Sequence, residues 1–506
     1  MPCTVQGATL VGVEAIPVGV EVDLLRRLPA VVVVGLPAPS VRESADRVRS
    51  AILGAGYEFP KQRVVISLSP ADLRKDGTGF DLPIAVGILA AAGRVPEDRA
   101  REYLMVGELS LGGELRAVRG ALAFADLAKR MGMRGILVPE RCAQEAALME
   151  GIEVRAAPHL AAVVEFLCGR RDLPPRSEAI APGPTSSMDL KDVVGQPTAR
   201  LALEVAAAGG HNLLFEGPPG CGKSMLASRL PSILPPLTVD EALECTRIQS
   251  VAGLRSPEGG LASNRPFRAP HHSISLAGLV GGATLRPGEV SLAHHGVLFL
   301  DEFPEFPRNI REALRAPMED RQLVISRAEG QVCFPARFML VAASNPCPCG
   351  YLGHPSRPCV CSPTLRERYR GRLSGPLIDR IDLRVQLRPT SPHDLLQEVH
   401  GESSQAVRQR VVDARERQRT RYGGLISSNA ELPAEQVLSA CDSHPLALRL
   451  LQKHLEDGAY SARVGRRLLK VARTLADLEG AGRVGLGHVR LAIDLRSDVE
   501  EQPCAS

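Results

Sequence analysis

Tryptophan is absent from this chain of 506 residues, and aromatic residues make up only 3% of it. Its cores must therefore be built from Leu, Val and Ala, for which an apolar content of 44% is ample. Few aromatic faces remain for stacking on nucleic-acid bases. No uninterrupted apolar stretch is long enough to span a bilayer, and no basic flank precedes an apolar segment at the N-terminus, where the first basic residue is Arg26. The expectation is a soluble, cytoplasmic protein with no membrane partner. An excess of one charge sign is lacking too: the formal net charge is +4, which says little about partners. The twelve cysteines do not suggest a disulfide scaffold in a chain of this length.

Local charge is more informative. Arg408, Arg410, Arg415, Arg417, Arg419 and Arg421 form one basic run, opposed by Asp413 and Glu416. Arg366, Arg368, Arg370 and Arg372 form a second. Either run has the character of a phosphate-contacting surface or of a solvated helix face.

The length suggests about three domains. Residues 1–172 alternate short apolar runs (Val31–Val34, Val64–Leu68, Gly135–Val138) with helical stretches (Val41–Ala51, Gly120–Met131), an α/β pattern. Residues 173–188 are rich in Pro, Ser, Ala and Gly and read as a linker. Residues 189–388 hold nucleotide-binding motifs. Residues 389–497 show helical periodicity, as in Ala462–Leu478, and 498–506 read as a tail.

The sharpest signal is Gly217-Pro218-Pro219-Gly220-Cys221-Gly222-Lys223-Ser224. It follows the apolar run Asn212–Phe215 and opens a helix-like stretch from Met225, the strand–loop–helix context of a P-loop. Its backbone N–H groups converge on phosphates, Lys223 reaches the β/γ-phosphates and Ser224 ligates Mg²⁺. A second motif, Gly296–Leu300 followed by Asp301 and Glu302, reads as a buried strand with carboxylates at its tip. Asp301 would hold the metal and Glu302 would polarise the attacking water.

Two phrases carry a family resemblance: Arg265-Pro-Phe-Arg268-Ala-Pro-His271-His272-Ser-Ile-Ser275, and Asn345-Pro-Cys-Pro-Cys-Gly350. With Ser374–Leu383 they resemble the magnesium-chelatase-like AAA+ ATPases of the ComM/YifB family, over nearly the whole chain. The resemblance implies a P-loop αβα core with a helical lid, which uses ATP and Mg²⁺ and assembles as a hexameric ring. It also implies branch migration or helicase work on single-stranded or branched DNA during natural transformation. The neighbouring alternative is a chelatase-type motor that remodels a protein partner. In the AAA+ pattern, Gly195 and Gln196 frame the adenine edge beside the P-loop residues through Met225. Asn345 orients the lytic water, and Arg380 is offered to a neighbour's γ-phosphate, although it could pair locally with Asp379 or Asp382. Arg463 resembles a sensor that reads the nucleotide in cis, with Arg466 and Arg467 close enough to confuse that assignment.

The N-terminal domain resembles the Lon-protease fold through Lys75–Asp81, Gly107–Gly113 and Met133–Pro139. Lon-type chemistry needs a Ser activated by a Lys. The resemblance puts Gly79 at the Ser position, and Leu122 and Phe124 where the Lys would fall, so this domain is expected to be non-catalytic.

Cys347 and Cys349, then Cys359 and Cys361, form two C-x-C pairs with nine residues between them. Four thiolates on a short loop (347–361) suit a structural tetrahedral Zn²⁺, in contact with DNA or a neighbouring subunit; free cysteines are the alternative. Gln322–Ser326 and Gln331–Pro335 read as a hairpin; the resemblance to AAA+ helicases implies that it would bring Arg327 to a DNA backbone. Arg268, Arg366 and Arg368 are the other candidate DNA contacts. His294 and His295 read as core or turn residues.

Overall fold

The computed structural model describes residues 2–176, 188–255, 260–282, 286–327, 330–354, 356–373, 375–389, 401–458 and 460–496. The chain begins as an antiparallel ribbon of β1 (Cys3–Val11) and β2 (Glu14–Leu25). Alternate side chains of β1 are buried from Cys3 through Gly7, as expected of a sheet with one covered face. β3 (Ala30–Val34), β4 (Arg63–Ser69) and β5 (Tyr103–Met105) follow, then a short hairpin of β6 (Glu108–Leu109) and β7 (Leu115–Arg116). β8 (Gly135–Pro139), β9 (Glu153–Ala157) and β10 (Pro175–Arg176) complete a mixed sheet of eight strands, ordered β10-β9-β8-β5-β1-β2-β4-β3. β10 lies in the stretch expected to be linker, yet it pairs antiparallel with β9. Residues 177–187 lie outside the described chain.

The second sheet contains β11 (Leu213–Glu216), β12 (Phe267–Arg268), β13 (Val297–Leu300), β16 (Met339–Ser344) and β17 (Leu383–Gln386), all parallel, in the order β12-β13-β16-β11-β17. Every residue of β13 and β16 is buried, because helices cover both faces. One face packs Leu213, Phe215, Phe299 and Val341 against the helices Pro197–Gly209 and Lys223–Ile233. The other packs Leu214, Leu298 and Leu340 against Phe303, Phe306 and Ile310, and against the hairpin of β14 (Gln322–Arg327) and β15 (Gly330–Pro335). The chain is thus mixed α/β with a parallel-strand sheet, as its alternating pattern indicates.

The turn between β1 and β2 reaches this second face. Val13 is 4% exposed and shares a core with Leu323, Ile325, Val332 and Phe334 of the hairpin. A Cβ at Gly12 would lie 2.4 Å from Val332 Cγ1, so the two elements meet without spare room. A second contact joins the units where the Gly120 amide donates to Ser250 Oγ at 2.9 Å and Arg247 pairs with Asp126 at 3.4 Å.

The described C-terminal region is helical: Ser404–Arg421, Val437–Cys441, Pro445–Asp457, Ala462–Glu479 and Leu486–Asp494. The basic run of its first helix is not a free cationic face. Arg408 donates to Ser232 O, Arg415 to Ala207 O, and Arg410 pairs with Glu204 at 2.6 Å. Arg417 donates to Asp477 O, while Arg421 pairs with the fully buried Asp477 carboxylate. These guanidiniums bind the helix to its neighbours, the role that sequence alone could not separate from phosphate contact.

Candidate nucleotide site

The P-loop leaves the C-terminal end of β11 and turns into the helix Lys223–Ile233 at Gly222, whose φ of 90° is in the region that favours glycine. Gly217 is needed for closeness: a Cβ there would lie 2.7 Å from Leu387 O and 2.9 Å from Cys221 Sγ. Lys223 is 8% exposed, and its Nζ donates to Gly217 O (2.6 Å), Pro218 O (2.9 Å) and Asn345 Oδ1 (3.0 Å). Burial lowers its pKa, while Cys221, Asp301 and Glu302 oppose that shift. Ser224 Oγ donates to Asp301 Oδ2 at 2.7 Å. The structure therefore brings Lys223, Ser224, Asp301 and Asn345 together from three adjacent parallel strands.

Glu302 has a φ of 50°, a left-handed conformation that is costly for a non-glycine residue. Its own backbone amide donates to Asp301 Oδ1 at 2.9 Å, which braces the turn. His272 Nδ1 lies 3.4 Å from Glu302 Oε2, and its ring meets Phe306 edge-on. His272, in the phrase that carries the family resemblance, thus approaches the carboxylate. Gly195 and Gln196 both adopt positive φ, and Gln196 Nε2 donates to Arg388 O at 2.6 Å, beside the P-loop. Pro219, Gly220, Ser224 and Met225 are exposed at the mouth of the loop.

Arg380, expected to be offered to a neighbour's γ-phosphate, and Arg463, expected to read the nucleotide in cis, meet at one carboxylate. Arg380 precedes β17, and its carbonyl accepts from Asn212, which precedes β11. The P-loop begins at the other end of β11, about 13 Å away for four residues of strand. Arg380 pairs with Glu319 at 2.8 Å, and Arg463 pairs with the same carboxylate. Arg463 therefore lies with Arg380. Arg380 pairs with Glu319, neither with Asp379 nor with Asp382; the latter is held by Arg467. Glu319 had no local motif to reveal it.

Arg268 pairs with both oxygens of Glu289, at 2.6 and 2.7 Å. A guanidinium held at two points ties β12, at the edge of the sheet, to Glu289. Arg327 lies in β14, and its side chain falls outside what the structure describes. Arg366 and Arg368 lie in the helix Pro363–Gly371.

Cys347, Cys349, Cys359 and Cys361 converge, with all four sulfurs within 4.8 Å of one another. The Sγ atoms of Cys347, Cys349 and Cys359 are 3.3–3.6 Å apart. Four sulfurs about 2.3 Å from a tetrahedral Zn²⁺ would be about 3.8 Å apart, so the donor set fits that ion. Amide N–H groups, first of Tyr351 and then of Val360, face Cys349 Sγ and lower its pKa to about 6, toward the thiolate a metal needs. Burial pushes Cys347 up to about 12. The loop rests on the nucleotide site: a Cβ at Gly350 would lie 2.7 Å from Pro219 Cδ.

Glu244, His294 and His295 also cluster within metal-binding reach. However, His294 Nδ1 accepts the Arg337 amide at 3.0 Å, which leaves the ring proton on Nε2, donating to Glu244 at 2.8 Å. A nitrogen carrying that proton is not a ligand. The cluster is a hydrogen-bonded strut below β13, in agreement with reading these histidines as core residues. No helix of the described residues is long and apolar enough to cross a membrane.

Gly79 has no side chain, and Leu122 and Phe124 are 1% and 5% exposed in the core. These three positions supply neither a nucleophile nor a base.

Comparison with known proteins agrees with the site. Residues 189–395 match the family described as magnesium chelatase, subunit ChlI; residues 20–142 match subunit ChlI of Mg-chelatase; and residues 401–496 match the ChlI C-terminal family. The chain is 45% identical over 491 residues to YifB of Salmonella typhimurium, covering 96% of this chain and 95% of that one. It is 43% identical over 499 residues to the competence protein ComM of Haemophilus influenzae, covering 96% of each. Similarity to the magnesium-chelatase 38 kDa subunit of Cereibacter sphaeroides is 25% over 338 residues, covering 59% of this chain and 87% of that one. The chain belongs to the ComM/YifB family of magnesium-chelatase-like proteins.

Proposed function

We propose that the protein is an ATP-hydrolysing motor of the AAA+ class that acts on DNA, with branch migration or unwinding in recombination during natural transformation as its task. The observation that carries the ATPase reading is the convergence of Lys223, Ser224, Asp301 and Asn345 at the ends of adjacent parallel strands. In this reading Lys223 and the P-loop amides hold the phosphates, Ser224 and Asp301 hold Mg²⁺, and Glu302 polarises water. The DNA assignment is supported by full-length similarity to a competence protein and by the basic helix from Arg366 to Arg372.

In this reading Arg380 and Arg463, which share Glu319, serve a neighbouring subunit's nucleotide. That arrangement requires a ring, and a hexamer is proposed. The Lon-like N-terminal unit carries no chemistry in this reading and supports the hairpin through Val13. The four cysteines hold a structural Zn²⁺ that fixes the loop after Asn345.

The second reading is a chelatase-type ATPase that remodels a protein partner, favoured by the ChlI families matched along the chain. The test is ATP hydrolysis by the full chain with single-stranded or branched DNA and without it. Stimulation by DNA supports the first reading; indifference to DNA supports the second.

A further inference from the structure

Five arginines surround a pocket of about 430 Å³ next to the Walker B segment: Arg308, Arg311 and Arg315 after β13, and Arg368 and Arg372 at the end of the helix Pro363–Gly371. Their countercharge is incomplete. Arg308 pairs with Glu312 at 2.9 Å, and Arg372 with Glu305 at 3.0 Å. Arg315 approaches Glu312 only to 3.8 Å, and its buried Nε has no partner. Arg311 donates to a backbone carbonyl, Phe306 O, at 3.0 Å and meets no carboxylate. Arg368 forms no ion pair among the described residues. Five guanidiniums thus face two carboxylates in a concave site. Burial lowers the Arg311 pKa, and the charges of Arg372 and Arg308 lower it further.

An uncompensated group of planar forks suits an oxyanion with several acceptor oxygens, above all a phosphate. The wall is not wholly polar, because Phe303, Leu373 and Leu377 line it. That combination suits a phosphate attached to a sugar and base better than a bare inorganic ion. Arg368 and Arg372 are four residues apart, a rise of about 6 Å along the helix axis. Arg366, with a buried Nε lacking a partner, lies within a turn of the same helix. Cations repeating along one axis suit successive phosphates of a strand better than one isolated nucleotide.

We infer that this arginine pocket is a binding site for the phosphodiester backbone of a single nucleic-acid strand. The inference rests on the proposed DNA-directed reading and locates its contact on the core, independently of the hairpin. It assigns roles to Arg308, Arg311 and Arg315, which sequence motifs did not single out, and retains Arg368 and Arg372 of the basic run.

The experiment is fluorescence anisotropy of a labelled single-stranded oligonucleotide with the full chain and with Arg308→Ala/Arg368→Ala, across a salt series. Both positions are exposed, and thermal unfolding checks that the variant folds. The expected result is binding weakened about tenfold or more. The slope of log affinity against log salt should fall by about 1.4, near 0.7 for each lost phosphate contact. Unchanged affinity and slope in the variant, with the wild type binding, overturn the pocket and leave the DNA-directed reading standing. Absence of binding by the wild type overturns both. A further arm measures a fluorescent ADP analogue in the Lys223→Ala background. Binding there that Arg368→Ala removes would overturn the strand assignment in favour of a free nucleotide.

Discussion

Lys223 donates to Gly217 O, Pro218 O and Asn345 Oδ1, so a phosphate oxygen that enters the loop competes with these acceptors. Asn345 is thereby tied to the lysine. Glu302 sits one residue beyond Asp301 in a left-handed turn at the end of β13. Glu302→Gln keeps the shape and removes the base. It should lower ATP hydrolysis about 10²-fold or more, while nucleotide affinity stays within about threefold; phosphate release and equilibrium binding of a fluorescent nucleotide test the two halves separately. The P-loop and the Asp301-Glu302 pair were legible in the sequence because glycine spacing, a buried apolar run and paired acids are local signals. His272 beside Glu302 was not, since thirty residues separate them and a histidine pair has no preferred partner in sequence.

At the scale of elements, the cysteine loop is coupled to the nucleotide. It starts two residues after Asn345, and Gly350, with φ of 81°, leaves no room beside Pro219. Gly350→Ala strains the backbone and pushes on the P-loop; nucleotide affinity should fall about tenfold, equivalent to about 1.4 kcal/mol. Metal removal by a chelator should cause a similar loss, with about one zinc per chain released, as metal analysis and nucleotide titration would show. The lid is held by charge at Asp382. Burial opposes ionisation there, but Arg467 and His211 outweigh it and hold the carboxyl well below the usual carboxylate range. A depressed folded pKa contributes stability above about pH 4 that is lost as pH falls toward the folded value. Asp382→Asn should cost about 3 kcal/mol at pH 7 by leaving Arg467 unpaired, and much less near pH 3; urea unfolding at both values tests this. The basic run of Ser404–Arg421 shows the limit of charge patterning. Composition could not say that Ala207 O, Ser232 O and Asp477 wait for those guanidiniums, because that depends on which helices meet.

At the scale of the whole molecule, the strand alternation, the parallel sheet and the helical C-terminus followed from periodicity and motif order. The contacts that join the units did not. Val13 in a two-residue turn carries no mark that it belongs to the core of the hairpin. Glu319, between Arg380 and Arg463, is one acidic residue among 57 Asp and Glu. Those two arginines share Glu319, and in the proposed reading they serve a neighbour's nucleotide, so hydrolysis should need assembly. Mixing Lys223→Ala chains with Arg380→Ala chains, each nearly inactive alone, should restore measurable hydrolysis, since intact pockets then meet intact arginines. No recovery would place Arg380 outside the reaction.

The most direct test is the rate of ATP hydrolysis with no DNA, with single-stranded DNA and with branched DNA, for the wild type beside Glu302→Gln. A motor that acts on DNA predicts severalfold stimulation in the wild type and none in the variant. Wild-type hydrolysis that is the same with and without DNA would contradict the account.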